Sequence, residues 1–329
     1  MLPLQDEVVD RDRPETTFLA YRRGYSPPKD MRSIIADAHR TRCGLTLALA
    51  AVDHVVAWLL VAGATWAVLD GPMILGVLAS AVAVVAIARQ LRALECLVHE
   101  SSHFNWSRSH RRWNDVLAFI LAGMPTGALI SDYRASHLLH HGRFGTALDP
   151  DRQRYIELGL EELRVHSRRV IAMDLLKRLP SYQKGWIRSL GTSPAYLLLP
   201  LLWTVVAVAP TALVFGLPGA LVGSLIWLVS FVVILPVVRL IGEASEHVYS
   251  GTDTVFDATI SNLGAWQRLI VHPHNDGYHT VHHMWPGVPH HALRKLHEAL
   301  VQHDPDGYAR RLRYRTRLLE TPRSGMAKP

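Results

Sequence analysis

Residues 43–88 contain no Lys or Arg, and neither do residues 189–238, although the 329-residue chain carries 35 of them. Long cation-free apolar stretches constrain a chain severely, because backbone polar groups in hydrocarbon must be satisfied within the segment, which leaves helix as the solution. About 20 apolar residues cross a ~30 Å hydrocarbon layer as helix. Residues 45–69 and 73–88 form one such pair around Asp70-Gly71-Pro72, and residues 195–215 and 220–238 form another around Gly216-Leu217-Pro218-Gly219. The pattern predicts an all-α integral membrane protein with four transmembrane helices in two hairpins. The second span is short and is expected to continue through Arg89 towards Leu94. The apolar run 116–130, interrupted by Gly123, Pro125 and Gly127, reads as a re-entrant or interfacial helix.

Basic residues crowd the N-terminal segment, the middle segment and the C-terminal tail, and both hairpin turns lack them, so the positive-inside rule places both termini in the cytoplasm. The expected layout is a cytoplasmic segment 1–44, a first hairpin 45–94, cytoplasmic and interfacial helices 95–194, a second hairpin 195–241 and a cytoplasmic region 242–329, together a helical cap over the spans. The first 44 residues lack the charged, apolar, small-residue order of a signal peptide, and no cleavage is expected. The net charge of +7 follows from this topology and from attraction to anionic membrane lipid; no nucleic-acid partner is expected. Asp53-His54 lies inside the first span, where ionisable groups face protein or water. It reads as an interhelical polar contact in preference to a proton path.

Two cysteines, Cys43 and Cys96, exclude a disulfide framework, a Cys-ligated iron–sulfur cluster and a Cys-rich zinc site. The 19 histidines instead cluster. His99-Glu100-Ser101-Ser102-His103 follows the first hairpin, His137-Leu138-Leu139-His140-His141 follows the Pro/Gly-containing run, and His279-Thr280-Val281-His282-His283 follows the second hairpin. Spacings of three and four place imidazoles on one helix face, so each cluster presents a fork that can embrace a metal. Eight histidines in a 2+3+3 arrangement exceed one tetrahedral zinc and suit two octahedral metals completed by a few further ligands. Two irons are the natural inference. The end of the last span supplies Glu243-Ala244-Ser245-Glu246-His247, from which His247 and Glu243 could close the coordination sphere, with Glu246 beside them.

With its three boxes in this order around two apolar hairpins, the chain resembles the membrane fatty acid desaturase and hydroxylase superfamily from about His99 to Leu300. The resemblance implies a di-iron centre that activates O2 on the cytoplasmic side, held by His99, His103, His137, His140, His141, His279, His282 and His283, with His247 matching the isolated histidine after the last span. Structurally known members carry asparagine four residues before that histidine, where this chain has Glu243; a carboxylate there would ligate iron or orient His247. The context around the second box is similar to the branch that includes the dihydrorhizobitoxine desaturase. Tyr133-Arg134, Asp149-Pro150-Asp151 and the run Met284 to Pro289 match the family context, so Arg134, Asp149, Asp151 and Asn275 are candidates to support the ligands. His272, His274, His290, His291 and His297 read as interface or surface residues.

The implied reaction removes hydrogen from an unactivated C–H bond, giving an alkene or an alcohol. The substrate is an acyl chain on a lipid or carrier, or a small amphiphile such as an amino-acid derivative. The chain has neither a Gly-rich nucleotide fingerprint nor iron–sulfur cysteines, so electrons are expected from a ferredoxin or similar carrier with its reductase. Two rival classes use the same residues. An intramembrane zinc metalloprotease would employ His99-Glu100-x-x-His103, with Glu100 as general base, and would leave six box histidines idle. A metal transporter would place its ligands near the bilayer midplane.

Overall fold

The computed structural model describes residues 24–165, 168–190, 195–249 and 254–325. The chain is mostly helical. After a short α1 (Met31–Ala38), α2 (Cys43–Leu69) and α3 (Met73–Ser102) form an antiparallel pair, and Pro72 at the N-cap of α3 with extended φ/ψ starts the return. The α3 helix runs beyond the expected Leu94 to Ser102, so a single rigid element carries an apolar surface at one end and the first histidine box at the other.

The α4 helix (Arg111–Ala118) leads into a π turn and a short helical turn that ends at Gly127, whose φ of 75° admits glycine readily. From there α5 (Ile130–Arg143) departs at 90° and carries the second box. α6 (Pro150–Leu158) and α7 (Arg168–Leu190) cross to α8 (Ala195–Val229). α8 is broken at Gly216, at φ 61° and ψ −147°, and the chain doubles back: a Cβ on Gly223 would lie 2.7 Å from the Thr211 hydroxyl and 3.5 Å from Val208. A π turn joins α8 to α9 (Leu235–Glu246), and beyond a single helical turn at Val255–Ala258 come α10 (His279–Met284) and α11 (His290–His303). A small sheet departs from the all-α expectation: β1 (Ser261–Asn262) pairs in parallel with β2 (Arg313–Arg315), which pairs antiparallel with β3 (Arg323–Ser324).

Three helical stretches are long and apolar enough to cross a membrane: Cys43–Leu69, Met73–Ser102 and the broken Leu198–Glu246. Leu59, Val77, Val82, Val205, Leu213 and Leu221 are all exposed along them. Apolar surface on this scale is stable against lipid and not against water. The opposite end of the molecule has an ordinary buried core, in which Met31, Tyr155, Tyr182, Phe256, Val281, Leu296 and Tyr308 pack together.

Polar groups inside the apolar region are matched to backbone defects. A helical proline frees the carbonyl four residues earlier. Pro125 frees that of Leu121, and the His54 side chain donates to it through Nε2 at 2.7 Å. Pro236 frees that of Val232, which accepts the Gln183 side-chain amide at 2.8 Å. Asp53, buried, is held by His274 Nε2 at 2.7 Å and Arg89 at 3.2 Å, tying α2 to the loop that precedes α10.

Candidate metal centre

The three boxes converge on one buried region. Box one ends α3, box two occupies the last turns of α5, and box three is α10. Helical periodicity turns His99 and His103, then His137 and His141, to one side. His282 of α10 completes a group of five in which every candidate nitrogen lies within 4.8 Å of the others. Adjacent Nε2 atoms form a chain: His99 to His282 at 3.0 Å, His282 to His141 at 3.0 Å, His141 to His137 at 3.1 Å and His137 to His103 at 2.9 Å.

A second group adjoins it, formed by His140, His247 and His283. His279 joins through His247, their Nε2 atoms 2.9 Å apart. Nitrogens bonded at ~2.1 Å to a common metal sit about 3.0 Å apart on an octahedral edge and about 3.4 Å apart on a tetrahedral one. The observed separations match the octahedral edge. Burial holds His247, His282 and His283 well below the ordinary imidazole range and brings His279 down to about 4. Neutral imidazoles keep their lone pairs for a metal.

Carboxylates grip the far side of several rings, the arrangement that fixes tautomer and orientation in metal sites. His140 Nδ1 donates to Asp149 at 2.9 Å, with Asp151 at 3.5 Å, and leaves its buried Nε2 without a hydrogen-bond partner. Asp149 is fully buried because it is also the N-cap of α6, accepting the N–H groups of Asp151, Arg152 and Gly145. His99 Nδ1 donates to Asp276 at 3.2 Å. Against the pull of burial, hydrogen bonds from His272 and His99 and the Arg92 guanidinium hold the Asp276 carboxyl well below the usual carboxylate range.

The two glutamates of α9 separate. Glu243 accepts from Arg154 at 2.9 Å and from the Tyr182 hydroxyl at 2.7 Å, and belongs to no group of candidate ligands among the described residues. Glu246, three residues on, lies within 4.8 Å of the ligand nitrogens of His247 and His279 and 3.1 Å from His272 Nδ1. Arg134 grips the end of α3, donating to the Ser101 and Ser102 carbonyls while paired with Asp115. Asn275, at φ 63°, donates to the His290 carbonyl. Glu100, the general base of the protease alternative, spends its carboxylate on the His290 N–H at 2.7 Å.

Residues 72–315, well over half of the chain, match the family described as fatty acid desaturase. The chain belongs to the fatty acid desaturase family. A curated relative within reach of direct comparison, the dihydrorhizobitoxine desaturase of Bradyrhizobium elkanii, is 26% identical over 249 residues, 69% of each chain. The branch resemblance around the second box therefore extends over most of the molecule.

Within this family member, Asp276 and His272 escaped sequence reasoning. His272, which reads as an interface or surface histidine, is fully buried, bonded to Ser245 and beside Glu246. The one available signal was the i, i+4 spacing of His272 and Asp276 just ahead of box three, in a segment that also needs Gly277, where a Cβ would come within 2.4 Å of the Asn262 carbonyl oxygen.

Proposed function

We propose that this chain is an O2-dependent, non-haem di-iron membrane oxidase that desaturates an unactivated C–H position of a fatty-acyl or other amphiphilic substrate. The observation that carries this reading is the pair of adjoining imidazole groups, in each of which the candidate ligand nitrogens lie within 4.8 Å of one another. His99, His103, His137, His141 and His282 would hold one iron and His140, His247, His279 and His283 the other, with Glu246 rather than Glu243 as the adjacent carboxylate. When bound, the two irons activate O2 and take hydrogen from carbon. The chain's own residues bring nine imidazoles together, and Asp149 and Asp276 orient the rings of His140 and His99.

Forming an alkene removes two hydrogens, and reducing O2 to two waters takes two further electrons and two protons. A ferredoxin-like carrier is the proposed source, docking on the basic surface. The relative's printed name favours desaturation over hydroxylation. In the membrane, four apolar segments in two hairpins would support a helical cap on the cytoplasmic side, with both termini there.

The test is elemental analysis of detergent-purified protein expressed with iron. Two irons per chain are expected, and His140→Ala or His282→Ala should lower iron content and activity while membrane insertion persists. One zinc per chain that ferrous iron does not displace would overturn the reading.

A further inference from the structure

Between Glu246 and Gly325, two large apolar side chains stand exposed among the described residues: Trp266, 73% exposed, and Leu269, 52% exposed. Single exposed apolar residues are ordinary on a water-facing surface, but these two are one helical turn apart and exposed Ala265 adjoins them. Arg89 Nε donates to the Leu269 carbonyl at 2.9 Å and Arg92 Nε to the Val271 carbonyl at 3.0 Å, so the turn Gln267–Val271 lies along α3 and rises with it. Arg89 is the first cation of α3 after its start at Met73. From Met73 to Arg89 the helix climbs about 24 Å at 1.5 Å per residue, most of a ~30 Å hydrocarbon layer. Leu269 is therefore level with the place where α3 leaves hydrocarbon, and Trp266 precedes the rise. Val85 and Val82, one and two turns below Arg89, are exposed as well.

We infer that the chain returns to the bilayer between the last span and box three, with Trp266 and Leu269 inserted at the headgroup boundary of the leaflet that α3 leaves. The inference rests on reading the long apolar helices as membrane spans. Lipid fits this patch because the patch continues the apolar surface of α3, and because an indole beside arginines is the composition of a membrane interface. The turn is built to hold the patch outward. Gln267 is buried between Trp266 and Leu269, its Oε1 accepting from the Gly264 N–H at 3.0 Å and its Nε2 donating to Asn262 at 2.9 Å, so insertion has little left to order. The region 242–329, expected to be wholly cytoplasmic, is thereby tied to lipid near its middle. Just beyond the turn, His272 lies beside Glu246 and Asp276 holds His99, so the lipid anchor fixes the segment that supports the metal centre.

The experiment places single nitroxide labels on the full chain in phosphatidylcholine bilayers, at Trp266→Cys, Leu269→Cys, Val77→Cys on α3 and Lys295→Cys on α11, with Cys43→Ser removing the partly exposed native thiol. Collisions with O2, which concentrates in hydrocarbon, are compared with collisions with a water-soluble nickel chelate. The labels at 266 and 269 should favour O2, as at Val77, and report a depth of about 5–10 Å below the headgroup boundary, while Lys295 favours the chelate. Chelate contact at 266 and 269 equal to that at Lys295 would overturn the inference. Shielding from both reagents, the mark of a second copy covering the patch, would overturn it too. Chelate contact at Val77 would instead defeat the span reading, and the inference with it. A melting temperature equal to that of the unlabelled protein identifies variants with an intact fold; where one of the two sites fails this, the other decides.

Discussion

Glu243 and Glu246 lie three residues apart on one helix, and the structure gives them different work. Glu243 is engaged by Arg154 and Tyr182, while Glu246 stands among His247, His279 and His272. Carboxylates bound to or orienting ligands typically carry 10- to 100-fold in metal affinity. Glu246→Gln is therefore expected to lower iron from about two towards one per chain at limiting metal, and Glu243→Gln to retain both irons. Elemental analysis of the two variants side by side checks this; equal iron loss in both would show that Glu243 also acts on the metals. His297 offers a second residue-scale outcome. Buried against Tyr308, with Nδ1 2.8 Å from the hydroxyl, it is pushed down to about 4 by burial. Its unfolded form takes up a proton near the ordinary imidazole value and its folded form only near 4, so the stability it contributes is present above that ordinary value and lost as pH falls towards 4. His297→Asn should flatten this part of the acid dependence, by up to about 1.4 kcal/mol per pH unit in that window, in thermal melts of variant and wild type.

Among the elements, the apolar helices tolerate prolines because side chains from neighbours take over the freed carbonyls. His54 serves Leu121 and Gln183 serves Val232, so the buried His54 is an interhelical contact that closes a backbone defect. Its replacement by leucine should cost about 1–3 kcal/mol, the usual penalty for an orphaned buried carbonyl. The protein should still insert, and its detergent melting temperature should fall while iron content stays constant. An unchanged melting temperature would mean another group satisfies the carbonyl. α3 matters at this scale for a different reason. It continues unbroken from apolar surface to His99, so the position of box one is set by a rigid rod, further fixed where Arg134 holds its terminal carbonyls.

For the whole molecule, the histidine boxes and the apolar hairpins were readable directly, since both depend on local spacing: three and four residues for a shared helix face, about 20 for a bilayer. Local spacing also marked Gly216 as a turn and Asp149 as a neighbour of box two. The partners that complete the site were hidden. Asp276 meets His99 across 177 positions of sequence, Asp53 meets His274 across 221, and Arg239 meets Glu95 across 144. Helix periodicity carries no information about which distant helix packs alongside. The sequence by itself therefore determined long apolar helices and histidines spaced to hold a metal, because hydropathy and ligand spacing are properties of contiguous segments. Only the tertiary structure brought His99, His103, His137, His141 and His282 into one group and His140, His247 and His283 into another, with Glu246 rather than Glu243 beside His247 and His279, because each of these depends on side chains that converge only when separate helices pack.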